Sequence, residues 1–115
     1  MVEVRHYSTH RGRCPVREFI EEMPQDAQYE LLAILRRLEQ GETLHMPLVR
    51  SLSSVAHGLW EMRIRDREGH HRIFYYAGVS GVIYLLHALR KKTRTILLRD
   101  RNLIMKRVRE INGAR

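Results

Sequence analysis

A single cysteine, Cys14, leaves no intramolecular disulfide to form, which points to a reducing, intracellular setting. Standing before Pro15 at an expected helix start, Cys14 reads as a small semi-buried residue and not as a nucleophile. Long apolar runs are missing as well. None approaches the ~20 residues needed to cross a bilayer, and Met1-Val2-Glu3-Val4-Arg5 does not resemble a signal peptide, so a soluble, cytoplasmic protein without membrane contact is expected. There is no P-loop, no Gly-rich dinucleotide turn, no metalloprotease helix and no cysteine cluster. Of the seven histidines, His6, His10, His45, His57, His70, His71 and His87, only the adjacent pair His70-His71 comes near ligand spacing. No metal and no small-molecule cofactor is therefore expected. Acids are scarce where they would matter: Glu61 is the only one in the three strands described below, which excludes the paired carboxylates of glycosidase chemistry.

What is present is arginine. The 115 residues carry a formal net charge of +8, and 18 of the 21 basic residues are arginine. Residues 1–57 sum to −1 and residues 58–115 to +9, so the basic field belongs to the second half. The planar guanidinium fork suits phosphate better than the ammonium point charge, and a nucleic-acid partner is favoured over a merely soluble basic surface.

The stretch Leu59–Lys92 organises the rest. Trp60, Met62 and Ile64 alternate with Glu61, Arg63 and Arg65, the period-two signature of a half-buried strand. His71-Arg72-Ile73-Phe74-Tyr75-Tyr76 and Val82–Leu89 complete a three-stranded antiparallel meander, with one face for packing and one for chemistry. Four-residue loops at Asp66–Gly69 and Gly78–Gly81 would set Arg65 opposite His70, Arg63 opposite Arg72, Arg72 opposite His87 and Phe74 opposite Leu85. Two arginines directly opposite each other are destabilising. An anion between them, with phosphate as the first candidate, would resolve the conflict, although a one-residue slip would dissolve the row.

Around the meander, Val2–Tyr7 alternates as a strand that would lie beside the third meander strand. Pro15 and the set Val16, Phe19, Ile20 and Met23 predict a short helix to about Glu22. Leu31, Leu32, Ile34, Leu35 and Leu38 predict a second from Gln25 to Gly41. This helical hairpin would cover the Trp60, Met62, Ile73 and Tyr75 face. Glu42–His57 shows no period and reads as a connector. A last helix, about Leu97–Ile111, bears Ile104, Val108 and Ile111 as a narrow stripe, with Arg107 beside it pointing into a site or pairing with Asp100. The expected whole is one domain, residues 1–115, of α+β class: a small, mostly antiparallel four-stranded sheet with an N-terminal helical hairpin and a C-terminal helix, in the order β-α-α-β-β-β-α.

Arg63, Arg65, Arg72, His87, Lys91 and Lys92, edged by Phe74 and Tyr76, could clamp a phosphodiester, stack a base and stabilise a phosphorane without metal. RNA supplies its own 2′-hydroxyl nucleophile, so the protein needs only proton transfer and positive charge. The competing interpretation pairs Arg63 with Glu61 or Glu68 and leaves Tyr75 and Tyr76 as core aromatics.

Pro47-Leu48-Val49-Arg50-Ser51-Leu52, Gly58-Leu59-Trp60-Glu61-Met62-Arg63, His71-Arg72-Ile73-Phe74-Tyr75 and Leu85-Leu86-His87-Ala88-Leu89-Arg90-Lys91-Lys92-Thr93 together resemble the phage-derived, HigB-like branch of the RelE/ParE toxin superfamily. The resemblance implies a type II toxin that cleaves mRNA, commonly on the ribosome, and a cognate antitoxin that is often a helix-turn-helix protein. Carried over, Arg72 matches the arginine thought to hold the scissile phosphate, Arg63 the basic position before it, and Lys91 and Lys92 the basic pair after the last strand. The chain departs from the pattern where Ile96 and Leu97 stand near a Thr-Pro, while Arg107 keeps an arginine. RelE's C-terminal tyrosine has no counterpart after Tyr84, so His87, Lys92 or Tyr76 must supply the general acid. His87 is favoured because its ordinary pKa lies near neutrality, against the alternative of a buried strand histidine. Two other functions suit the same fold: a ParE-like gyrase inhibitor and a non-catalytic nucleic-acid-binding module.

Overall fold

Alternation from Leu59 onward builds the sheet, and the computed structural model describes it within residues 1–67, 69–91 and 95–114, the side chain of Lys91 excepted. The elements are β1 (Glu3–His6), α1 (Pro15–Glu21), α2 (Gln25–Glu39), β2 (Val49–Ser51), β3 (Leu59–Asp66), β4 (Gly69–Val79), β5 (Val82–Lys91) and α3 (Leu98–Gly113). The α+β class is as expected, but the sheet has five strands in the order β1-β5-β4-β3-β2. It is mixed, because β1 runs parallel to β5 while the other three pairs are antiparallel. The strand missed was β2. It lies in the stretch without a period and is defined by its partner, with Val49 opposite Met62 and Ser51 opposite Trp60.

Each helix follows from its apolar spacing. Pro15 opens α1, and Ala27, Leu31, Ile34 and Leu38 form the buried stripe of α2. With Val16 and Met23 they cover Met62, Ile64, Ile73, Tyr75, Ile83 and Leu85, the face assigned to the hairpin from sequence. The opposite face is not open. Ile104 and Val108 of α3 join Leu52, Leu59, Phe74, Tyr76 and Leu86 in a second apolar cluster. The stripe of α3 needs an apolar partner, and the sheet offers one beneath it. Toward the β2–β3 edge the same face turns polar, with Arg50, Glu61 and Arg63.

Register decides what meets on that face. Arg65 faces His70 and Arg63 faces Arg72 as expected, with one further pair, Asp66 and Gly69, closing the hairpin. The β4–β5 hairpin closes instead at Val79 and Val82, and the ladder shifts between Tyr76 and Val79 and again between Phe74 and Tyr75. Arg72 therefore faces Leu89, Phe74 faces His87, and Leu86 is the unpaired extra residue. An inserted residue re-aims side chains locally and leaves no mark in an apolar pattern. The expected row Arg63–Arg72–His87 is wrong in its last member because the hairpin closes two residues further along β4, with Val79 and not Ala77 opposite Val82; the two shifts cancel at Arg72 and re-aim only the residues between them.

Candidate nucleic-acid interface

Two rows cross the α3-side face of the sheet. One is Arg63–Arg72–Leu89; the other is Arg50–Glu61–Phe74–His87, one residue from each of four strands. The second row supplies the anion that the arginines require, and it belongs to the protein. Glu61 is fully buried. Its Oε1 accepts from Arg63 Nε at 2.8 Å and its Oε2 from Arg72 Nε at 2.5 Å, with Arg72 Nη2 contacting the same oxygen. Arg50 Nη2 lies 3.6 Å from Oε2, too far for a hydrogen bond. Burial alone would raise the Glu61 pKa; the hydrogen bonds from Arg63 and Arg72, with the charges of Arg72 and Arg50, outweigh it and hold the carboxyl below its ordinary value. Three guanidinium groups on one carboxylate leave an excess of two positive charges.

The three arginines differ in exposure. Arg72 is 1 % exposed and its guanidinium lies 5.4 Å from the centre of the Phe74 ring, a cation–π distance. Arg63 and Arg50 keep 27 % and 37 % of their side-chain surface. Arg65 is exposed two pairs further along the hairpin. Lys91 ends β5 opposite His70, and Lys92 lies outside the described residues.

The aromatic and C-terminal candidates are placed differently from expectation. Phe74 is fully buried and Tyr76 nearly so, its hydroxyl donating to Asn112 Oδ1 at 3.1 Å; neither offers a free face on which a base could stack. Arg107 is also buried. It donates to the Leu86 carbonyl at 2.6 Å and lies over the Tyr7 ring at 4.6 Å. That carbonyl belongs to the extra residue of the bulge, so Arg107 satisfies a group the ladder leaves unpaired. Asp100, the alternative partner considered for Arg107, bonds His87 instead.

His87 sits between sheet and helix, 14 % exposed. Its Nε2 lies 2.8 Å from Asp100 Oδ1, its Nδ1 3.5 Å from Arg107 Nη1, and its ring stacks on Phe74 at 6.1 Å. A carboxylate can only accept, so Nε2 carries the proton and Nδ1 turns its lone pair toward the guanidinium. Burial lowers the His87 pKa, Asp100 opposes this and Arg107 adds to it; the net direction is downward, which keeps the ring neutral.

Sequence reasoning missed three participants. In the sequence Glu61 reads only as a possible partner for Arg63, Arg50 has no role, and Asp100 enters only as one of two alternatives for Arg107. A like charge opposite Arg63 was the available signal for Glu61. A second histidine–carboxylate contact, His71 Nε2 to Asp66 Oδ2 at 2.7 Å, lies on the α1-side face against Phe19, away from the arginines. An open cavity of about 700 Å³ formed by residues including Arg5, Tyr7, Tyr84 and Glu110 holds none of the predicted site residues. Among the described residues no cluster of three or more potential metal ligands occurs, and no helix is long and apolar enough to cross a membrane.

Fold and site define a small basic α+β protein whose sheet carries a partly exposed arginine cluster on its own buried carboxylate. The model of the family described as phage derived protein Gp49-like (DUF891) matches residues 18–109, and the chain belongs to that family. It is the RelE/HigB-like toxin family of toxin–antitoxin systems, in which an antitoxin is the expected partner. No curated protein matches the chain.

Proposed function

We propose that this chain is the toxin of a type II toxin–antitoxin pair and acts as a metal-independent endoribonuclease that cuts mRNA on the ribosome and so inhibits translation. The observation that carries the proposal is the excess of guanidinium over carboxylate around Glu61, with donors of Arg63 left at the surface. Positive charge held on a rigid sheet, its geometry set before substrate arrives, stabilises charge developing on a phosphorane. Arg72 acts through Glu61, fixing where Arg63 stands, and adds its charge from beneath. Arg65, Lys91 and Lys92 hold the RNA or ribosomal backbone.

The 2′-hydroxyl oxygen attacks the adjacent phosphorus, the bond to the 5′-oxygen breaks, and the products are a 2′,3′-cyclic phosphate and a 5′-hydroxyl. His87, kept neutral by burial, takes the 2′-hydroxyl proton on Nδ1, the ring nitrogen that carries the lone pair, while Asp100 stays on Nε2–H and stabilises the imidazolium that forms. Protonation of the leaving oxygen falls to the same imidazolium or to Lys92.

The test is 5′-end mapping of mRNA in cell-free translation, with and without ribosomes. Arg63→Ala is the informative variant, because Arg72 is part of the buried framework. New 5′-hydroxyl ends at codon-related positions, formed only with ribosomes and reduced roughly a hundredfold in rate by Arg63→Ala, are expected. Intact mRNA would overturn the proposal and direct attention to a gyrase supercoiling assay.

A further inference from the structure

Arg50 occupies an unusual position. It stands on the edge strand β2 directly opposite Glu61, yet both Glu61 oxygens are already taken by Arg63 and Arg72 at hydrogen-bond distance. At 3.6 Å Arg50 Nη2 gains charge attraction without a hydrogen bond, and its Nε is buried with no acceptor. Arg63 is similar at its outer end: its hydrogen bond to Glu61 uses Nε, and among the described residues its two Nη groups are left for another acceptor. Residues 50, 61 and 63 share one face of the sheet, so the partly exposed guanidinium groups of Arg50 and Arg63 stand together beside Glu61.

We propose that Arg50 and Arg63 form a two-armed clamp for one backbone phosphodiester of single-stranded RNA, with Glu61 and Arg72 as its floor. A phosphodiester presents two non-bridging oxygens, and one guanidinium fork can serve each. Glu61 does not repel the ligand from the surface, because it is buried and outnumbered by the cations around it. Its carboxylate is a positioning group: it draws three like charges to one place and leaves two of them open to a second anion. Arg50 thereby becomes a phosphate-binding residue, and the edge strand, the least conspicuous element in the sequence, becomes one wall of the site. The inference rests on the RNA-cleaving function proposed above.

Binding of a 2′-O-methyl oligoribonucleotide, which cannot supply the nucleophile, separates the clamp from the chemistry. Fluorescence anisotropy of the full chain across a salt series is expected to show Arg50→Ala binding roughly tenfold more weakly, with the slope of log affinity against log salt reduced by about 0.7, the value for one single-strand phosphate contact. Arg50→Lys should restore the slope but only part of the affinity, since the charge returns without the fork. Arg5→Ala, on β1 at the opposite edge of the sheet, should change neither. Thermal melts establish that Arg50→Ala is folded. Unchanged affinity and slope in Arg50→Ala, alongside losses in Arg63→Ala, would overturn the clamp and leave the nuclease standing. A wild-type protein that binds through Arg50 but does not cut mRNA would uphold the clamp and remove the nuclease. Absence of salt-dependent binding by the wild type would remove both.

Discussion

Glu61 shows how one side chain can reverse the meaning of its neighbours. Arg63 and Arg72 face each other across two strands, an arrangement that costs stability by itself, and the buried carboxylate turns it into an ion cluster. Removing one member of a buried pair strands the other, at about 3–5 kcal/mol, whereas replacing both by apolar groups is far milder. Urea denaturation should therefore find Arg72→Met and Glu61→Leu each strongly destabilising, and the double variant less destabilised than the sum of the two. His87 makes a pH-dependent contribution at the same scale. Its folded pKa lies below the ordinary 6.5, so the unfolded chain binds the proton more readily and stability falls as pH drops below about 6.5 toward the depressed value. His6, also lowered by burial and by Arg17, contributes in the same direction. The difference between wild type and His87→Gln in a melting series from pH 7.5 to 5 isolates His87: the variant should show the shallower acid-side loss.

Among the elements, α3 is held on the sheet by several different kinds of contact. Ile104 and Val108 lie on the sheet, Arg107 takes the Leu86 carbonyl freed by the bulge, His87 bonds Asp100, and Tyr76 reaches Asn112. Beneath that last contact a side chain would crowd the Tyr76 ring. A Cβ at Gly78 would stand 2.2 Å from the Tyr76 hydroxyl, and at Gly58, where φ is 82°, 2.9 Å from the Gly78 nitrogen. Gly78→Ala should push the Tyr76 ring off Asn112 and loosen the C-terminal turn of α3, costing about 1–3 kcal/mol. Hydrogen exchange checks the location: faster exchange at the end of α3 with β3 and β4 unchanged is expected, and uniform acceleration through the molecule would contradict it.

At the scale of the whole molecule, local pattern and long-range pairing divided the work. Periodicity alone determined the helical hairpin, the meander, the face covered by α1 and α2, and the Arg63–Arg72 pairing, because each depends on spacing within one element or across one tight turn. Composition determined the concentration of arginine in residues 58–115. Tertiary structure alone decided that Val49–Ser51 is a strand, because three residues carry no period and only the neighbour's open edge defines them. It also decided that His87 meets Phe74 and Asp100 and not Arg72, because the β4–β5 hairpin closes at Val79 and Val82, two residues further along β4 than a four-residue loop places it, and a two-residue change keeps every side chain on its own face and leaves the apolar pattern untouched. Above all it decided that the anion among the arginines is Glu61, since a carboxylate two residues from Arg63 and eleven from Arg72 reads as a solvated charge until the sheet closes over it.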